Sequence, residues 1–304
     1  MAILIDQHTT VVVQGITGKE GQKITRAMLD YGTNVVGGVR PGKGGERIEG
    51  VPVFNTLAEM VAQHQHVDTS VVVVPPPAAK MAIMEAIDAN ISFINVLVER
   101  VPIQDIAYCL EAAKERGVHI LGPSSLGYIS PGIGRVGMIG GPKPLVHEIF
   151  VRGDVGIISR SGGMTNEVSW QIRKAGLGQS TAVHVGGDLL MGFTYADILA
   201  LFEKDELTRA VAIFGEHGGM YEFEIVDMIQ KGSFTKPLAI YIGGAFAEHF
   251  PQGMQIGHAG ALVERGSSAK EKVEALAAVG VRIAEQYEDL AALVQAHGIE
   301  GRFI

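Results

Sequence analysis

Two stretches in the second half of the chain carry groups suited to covalent chemistry. Gly257-His258-Ala259-Gly260-Ala261 sets an imidazole among small residues, where the ring either acts as a nucleophile or stands as an ordinary loop histidine. Phe214-Gly215-Glu216 ends an apolar run on a carboxylate, placed to accept an imidazole N–H and fix the orientation of the ring. Two further stretches suit an anion. Val11 to Gln14 runs into Gly15-Ile16-Thr17-Gly18-Lys19-Glu20-Gly21, and Val155 to Ser159 runs into Arg160-Ser161-Gly162-Gly163-Met164-Thr165-Asn166. Each is a strand-to-helix turn of glycines and hydroxyls, where a helix N-terminus offers unpaired N–H groups to a phosphate.

The spacing narrows the chemistry. Gly-x-x-Gly-x-x-Gly is not the dinucleotide fingerprint, and the next strand ends in Arg40-Pro41-Gly42-Lys43-Gly44-Gly45 instead of an acid that would grip an adenine ribose. A nicotinamide cofactor is therefore disfavoured. Lys43 either reaches a nucleotide phosphate or solvates a turn. Val74-Pro75-Pro76-Pro77 and Val98-Glu99-Arg100-Val101-Pro102 fall at strand ends, either lining the crevice of a parallel sheet or simply stopping the strands. Ser161 is preceded two places earlier by Ser159, where a hydrolase nucleophile elbow has glycine. Arg160 either contacts a carboxylate or braces an interface. His184, His217 and His258 with Asp188 lack ligand spacing on any one element, so no metal site is expected. Cys109 lies on an apolar helical face and reads as a core residue.

The elements that must position these groups alternate in type. Short β-branched runs at 11–14, 34–39, 69–74, 94–98 and 118–121 are separated by helical periodicity, the pattern of parallel strands with crossover helices. A second series follows, with strands at 155–159, 181–185, 210–214, 237–242 and 281–284. Between them, from Ser130 to Gly153, glycine and proline break the periodicity. The expected organisation is an α/β chain of two tandem doubly wound domains: a Rossmann-like domain over 1–130, a connection over 131–153 and a second domain over 154–304. With 304 residues, 47% hydrophobic and 19% charged, the chain can bury the cores this requires. Its net charge of -8 gives no general attraction to nucleic acid or to an anionic membrane, so neither is an expected partner. One cysteine and an amino terminus without a basic and then apolar run fit a cytoplasmic protein.

Taken in order, Gln14-Gly15-Ile16-Thr17-Gly18, Val36-Gly37-Gly38-Val39, Pro41-Gly42-Lys43-Gly44-Gly45, Val51-Pro52-Val53-Phe54-Asn55-Thr56, Ser159-Arg160-Ser161-Gly162, Gly186-Gly187-Asp188, Gly215-Glu216 and Gly257-His258-Ala259-Gly260-Ala261 resemble the α subunits of the nucleoside-diphosphate-forming acid–CoA ligases, the succinyl-CoA synthetase family. The resemblance covers essentially the whole chain. It implies a Rossmann-like CoA-binding domain followed by a flavodoxin-like ligase domain carrying a phosphohistidine. CoA would meet Thr17, Gly18, Lys19, Glu20, Lys43, Val74, Pro75, Pro76, Val98, Glu99 and Arg100. His258 would be phosphorylated, Glu216 would hold its ring, and the helix start at Ser161, Gly162, Gly163 and Thr165 would stabilise the phosphate. An ATP-grasp β subunit, in αβ or α2β2 assembly, would supply ATP or GTP with Mg²⁺. The substrate would be a small carboxylic acid.

Departures from the family pattern bear on that acid. Asn166 stands where the succinate enzymes have a tyrosine, a form similar to ATP-citrate lyase and citryl-CoA synthetase, as is Met254-Gln255-Ile256 before Gly257-His258. An amide in place of a phenol makes room and adds hydrogen bonding, as a larger or more polar acid would need. Val98-Glu99-Arg100-Val101-Pro102 and Ser124-Ser125-Leu126-Gly127 also differ, and Phe246 to Gly253 lacks the family's basic stretch. Succinate, citrate and malate are the acids expected, and a non-catalytic CoA-binding regulatory subunit is the alternative of a different class.

Overall fold

The computed structural model describes residues 3–64 and 66–296. The first sheet is built from β1 (Thr10–Gln14), β2 (Asn34–Val39), β3 (Arg47–Ile48), β4 (Val51–Phe54), β5 (Thr69–Val72), β6 (Phe93–Val96) and β7 (His119–Leu121). Helices α1 (Lys19–Tyr31), α2 (Leu57–His64), α3 (Ala79–Asp88) and α4 (Ile103–Glu115) connect them. In space the order is β3-β4-β2-β1-β5-β6-β7, parallel throughout except for the β3–β4 pair. The chain thus starts in the middle and winds outward both ways, leaving a crevice where the connections of β1 and β5 diverge.

Local sequence explains these elements. Val11, Val12 and Val13 are all fully buried, because helices cover both faces of a central parallel strand. Each such side chain contributes about 1.5–3 kcal/mol. Helix α1 buries Ile24, Thr25 and Met28 on one face. It stops at Gly32, whose φ of 95° lets its N–H turn back to the carbonyls of Met28 and Leu29.

The second sheet contains β8 (Gly127–Ser130), β9 (Gly134–Gly137), β10 (Arg152–Ser159), β11 (Gln179–His184), β12 (Ala210–Glu216), β13 (Leu238–Gly243) and β14 (Arg282–Ile283). Its helices are α5 (Lys143–Ile149), α6 (Gly162–Lys174), α7 (Tyr195–Lys204), α8 (Tyr221–Gln230), α9 (Ala269–Ala278) and α10 (Leu290–Gln295). The order β14-β13-β12-β10-β11-β8-β9 places β10 to β14 in the flavodoxin-like arrangement. Its switch point lies between β10 and β12, the strands that lead to Ser161 and Glu216.

The segment expected as the connection differs from a linker. β8 and β9 form a hairpin that joins the second sheet through antiparallel pairing of β8 with β11. The passage between sheets therefore falls at residues 122–126. Ser130-Pro131-Gly132-Ile133 is a tight turn, with Ile133 N–H donating to the Ser130 carbonyl at 3.0 Å and Gly132 at φ 75°. Strands of four residues closed by glycines carry too little alternation to register as periodic. Residues 297–304 of the expected second domain lie outside the described residues.

The two sheets share one apolar cluster that includes Val13 and Met28 on one side and Val136, Ile158 and Phe193 on the other. Phe93 packs edge-on against both Tyr128 and Phe193 at 5.6 Å. Thr33 Oγ1 donates to the Arg135 carbonyl at 2.6 Å, and Gly192 N–H donates to that of Gly122 at 3.0 Å. These contacts fix one crevice relative to the other. Among the described residues no helix is long and apolar enough to cross a membrane.

Candidate active site

Glu216 is the last residue of β12, and its carboxylate faces the ring of His258 on the loop before α9. His258 Nδ1 lies 3.0 Å from Oε1 and 2.9 Å from Oε2 of Glu216. A carboxylate can only accept, so Nδ1 carries the proton and Nε2 is the free nitrogen. The hydrogen bond to Glu216 raises the imidazole above its ordinary value, against the opposing effect of burial. Burial pushes the Glu216 carboxyl up, but the hydrogen bond and charge of His258, joined by Arg160, bring it below the ordinary value. The His258 side chain is 35% exposed and borders an open cavity of about 470 Å³ walled by Phe214, His217, Phe246 and Ile256. An oriented, half-buried ring with one nitrogen free of protein contacts at the border of a cavity is able to act as a nucleophile.

Small residues make this approach possible. A Cβ on Gly187 would meet the His258 ring at 2.6–2.7 Å, and one on Gly260 would collide with the Arg160 guanidinium. Gly260 N–H in turn donates to the Gly187 carbonyl at 3.0 Å, so the Gly186-Gly187-Asp188 turn and the His258 loop interlock. Arg160 is fully buried and braces that junction. Its Nη1 donates to the Gly218 carbonyl at 3.3 Å and its Nη2 to the Asp188 carbonyl at 3.4 Å. Of the two readings of Arg160, these contacts are the bracing one.

His184 is a structural neighbour. Its Nδ1 accepts the Leu126 N–H at 2.7 Å, so its Nε2–H donates to the Arg160 carbonyl at 2.9 Å. Burial pushes its imidazole down to about 4, leaving it neutral.

The start of α6 lies at the end of β10 beside this loop network. Ser161 caps the helix, its Oγ accepting the Met164 N–H at 3.4 Å. Gly162 packs against Leu126, and Gly163 is exposed. Thr165 is fully buried and spends its hydroxyl on the Ser161 carbonyl at 2.8 Å. Asn166 Oδ1 accepts the Gly140 N–H at 3.0 Å, which leaves its NH2 as the group available to a ligand.

The first-domain crevice is of another kind. A cavity of about 620 Å³ opens between Val39, Arg40, Asn55, Val74 and Met81. On its floor Gln14 Nε2 donates to the Ala82 carbonyl at 2.9 Å and to Glu85 Oε2 at 3.0 Å. Gly15, at φ 90°, lies against the Val73 carbonyl, a position no Cβ could share. Of the residues expected to meet CoA, Val74 is a wall of this cavity. Thr17 is half-buried, and Gly18, Lys19 and Glu20 open α1 on the exposed side. Pro75 and Pro76 are exposed, and Lys43 is exposed and paired with Glu46 at 2.8 Å. An apolar recess beside an open helix N-terminus and solvent-exposed lysines fits a ligand with an aromatic end and phosphates.

Val98, Glu99 and Arg100 lie elsewhere, where the first domain meets the second site. Arg100, at φ 57°, donates its N–H to the Asp188 carboxylate. Burial, joined by the charge of Glu99, holds Asp188 above the ordinary carboxylate value. Sequence reasoning missed the roles of Asn55 and Glu85 and the place of Asp188 beside Arg100 and Glu99. Asn55 Oδ1 accepts the N–H groups of Gly42 and Gly44, both at 3.1 Å, and so shapes the Lys43 loop.

Residues 6–99 match the family model described as the CoA binding domain, and residues 158–283 match the model described as CoA-ligase. The alpha 1 subunit of the ADP-forming succinate–CoA ligase of Archaeoglobus fulgidus is 42% identical over 291 residues, covering 95% of this chain and 96% of its own. The alpha subunit of the malate–CoA ligase of Methylorubrum extorquens is 42% identical over 289 residues, covering 93% of this chain and 94% of its own. A solved ATP citrate lyase of Methanosaeta concilii, in complex with (3S)-citryl-CoA, matches in fold with a TM-score of 0.90 at 24% identity, over 99% of this chain and 52% of the lyase. This chain thus spans about half of that one. With relatives aligned over nearly their whole length and both family models matched, the chain belongs to the α-subunit family of the ADP-forming acid–CoA ligases.

Proposed function

We propose that this chain works in the cytoplasm with an ATP-grasp β subunit, in an αβ or α2β2 assembly, and relays a phosphoryl group through His258. The observation that carries the reading is the two-oxygen contact of Glu216 with His258 Nδ1, which leaves Nε2 for the phosphorus. The partner supplies ATP and Mg²⁺. Neutral Nε2 attacks the terminal phosphorus and ADP leaves; Glu216 holds the Nδ1 proton throughout and offsets the positive charge that develops on the ring. An oxygen of the substrate carboxylate then takes the phosphoryl group, freeing the imidazole. The CoA thiolate attacks the carbonyl of that acyl phosphate, forming the thioester and releasing inorganic phosphate. The apolar recess and Lys43 hold the nucleotide end of CoA, while its thiol end is directed toward Glu99, Arg100 and Asp188, where the two domains meet.

The acid we favour is succinate, on the full-length likeness to succinate–CoA ligase subunits. A malate- or citrate-directed subunit is the second reading. It is favoured by Asn166, whose free NH2 adds a donor where a tyrosine is usual, and by a malate–CoA ligase subunit standing at the same 42% identity. The test is ADP release by the chain co-expressed with its partner, given CoA and in turn succinate, malate, citrate and itaconate. Release with succinate alone supports the first reading and release with malate or citrate the second. CoA binding without ADP release on any of the four contradicts both.

A further inference from the structure

Below the Glu216–His258 contact lies a second charged pair with no contact to the ring. Glu222, in the first turn of α8, and Lys272, in the first turn of α9, are both fully buried and lie 2.5 Å apart. Lys272 Nζ also donates to the carbonyl of Glu216 at 2.6 Å and to that of Gly218 at 2.7 Å. Glu222 Oε1 accepts the N–H of Glu216 at 3.3 Å. Both main-chain polar groups of the residue that orients His258 are thus gripped by this pair. The Gly218 carbonyl is also held by Arg160, which ties the grip to the Asp188 turn.

A buried ion pair is a poor way to add stability, since apolar residues of the same volume often serve as well. What it gives here is geometry. Lys272 has three donors, and they meet one carboxylate and two carbonyls. Once desolvated, an ammonium so enclosed cannot shift without leaving a charge or a carbonyl unpaired, so the end of β12 is held at one angle.

We propose that Lys272 and Glu222 are positioning residues for phosphoryl transfer at His258, acting through the main chain of Glu216. This rests on the phosphohistidine reading above. A tilt of β12's last residue moves the Glu216 carboxylate off Nδ1, and misplacement by about 1 Å in such a contact costs on the order of 10²-fold in rate. The titratable and charged groups that face His258 are Glu216 on β12, Arg160 after β10, the neutral His184 on β11, Asp188 after β11, and Glu99 from the first domain. Lys272 and Glu222 act on it only through the first of these.

The test is a double-mutant cycle on the complex with its partner, following phosphate incorporation into His258 from labelled ATP. Lys272→Met should slow incorporation about 10–100-fold. It should also move the imidazole limb of the pH profile to lower pH and leave the KM for CoA unchanged. In a Glu216→Gln background the same substitution should change the rate less than about twofold. Equal losses in both backgrounds, or an unmoved pH limb, would mean that the pair only supports the fold and would overturn the inference. If Lys272→Met fails to assemble, Glu222→Gln, which keeps the side-chain shape, takes its place and must show the same dependence on Glu216. Wild-type complex that incorporates no phosphate at His258 overturns the functional reading and this inference together. Incorporation that is indifferent to both variants overturns this inference alone.

Discussion

The two crevices occupy equivalent places, each beyond the carboxyl ends of a parallel sheet at its switch point, yet they are built in opposite ways. The first is space: a largely apolar recess of about 620 Å³, with Lys19, Glu20 and Lys43 standing in solvent on the turns at the ends of β1 and β2. The second is a knot of buried polar groups, with Arg160, Glu222 and Lys272 fully buried and His184 nearly so. A site that holds a long, flexible ligand by its ends needs room and donors that can move. A site that forms and breaks a bond to one nitrogen needs that nitrogen fixed, and buried charges each held by several main-chain and side-chain contacts do so.

The contrast can be broken most severely at His258. His258→Asn should lower acid-dependent ADP release by roughly 10⁴-fold or more while CoA binding, measured by calorimetry, stays within twofold. Weakened CoA binding would show that the two sites are not separable.

The next effect is on stability. An unfolded chain binds a proton at His184 near 6.5, but the native chain resists until about 4. Between those values the unfolded state holds more protons, so stability falls as pH drops, by about 3 kcal/mol in total. Urea unfolding followed across this window should show the loss, and a His184→Gln variant should show a flatter curve. His258 has the opposite sign. Its raised value means that its pairing with Glu216 stabilises the fold fully below the ordinary imidazole range, and that this contribution is lost as pH rises through the native value.

Glu216→Gln should slow phosphate incorporation on the order of 10²-fold and lower the pH at which the rate reaches its plateau, because the neutral amide no longer favours the imidazolium. A stopped-flow pH series measures both. The smallest effect belongs to the first crevice. Lys43→Ala breaks an exposed pair with Glu46 and, on the proposed reading, one mobile phosphate contact, so the KM for CoA should rise no more than about fivefold with kcat unchanged.

The sequence made the parallel strands legible because buried central strands such as β1 read as unbroken β-branched runs. The Glu216–His258 contact was legible for a related reason: Glu216 ends β12 right after Gly215, and His258 stands in a glycine-flanked loop, places where a charged or polar residue has no core to pack. Elements carrying little alternation were not legible. The β8–β9 hairpin is too short for period-two patterning, and α2 was overlooked although Thr56 and Glu59 form its capping signature, with Glu59 N–H donating to Thr56 Oγ1 at 3.1 Å. Among site residues, Thr165 reads as a phosphate ligand, but its position on α6 turns the hydroxyl to the helix's own backbone. Lys272 and Glu222 lie 50 residues apart, and only the packing of α8 beside α9 brings them together under Glu216.

The central claim is that His258 Nε2 carries the phosphoryl group. Its most direct test is phosphorus NMR and phosphosite mapping of the complex after brief exposure to ATP without acid or CoA. An acid-labile, base-stable phosphoramidate on Nε2 of His258, discharged on addition of the acid substrate and CoA, is the predicted result. Phosphate on another residue, or none on a complex that still makes the thioester, would contradict it.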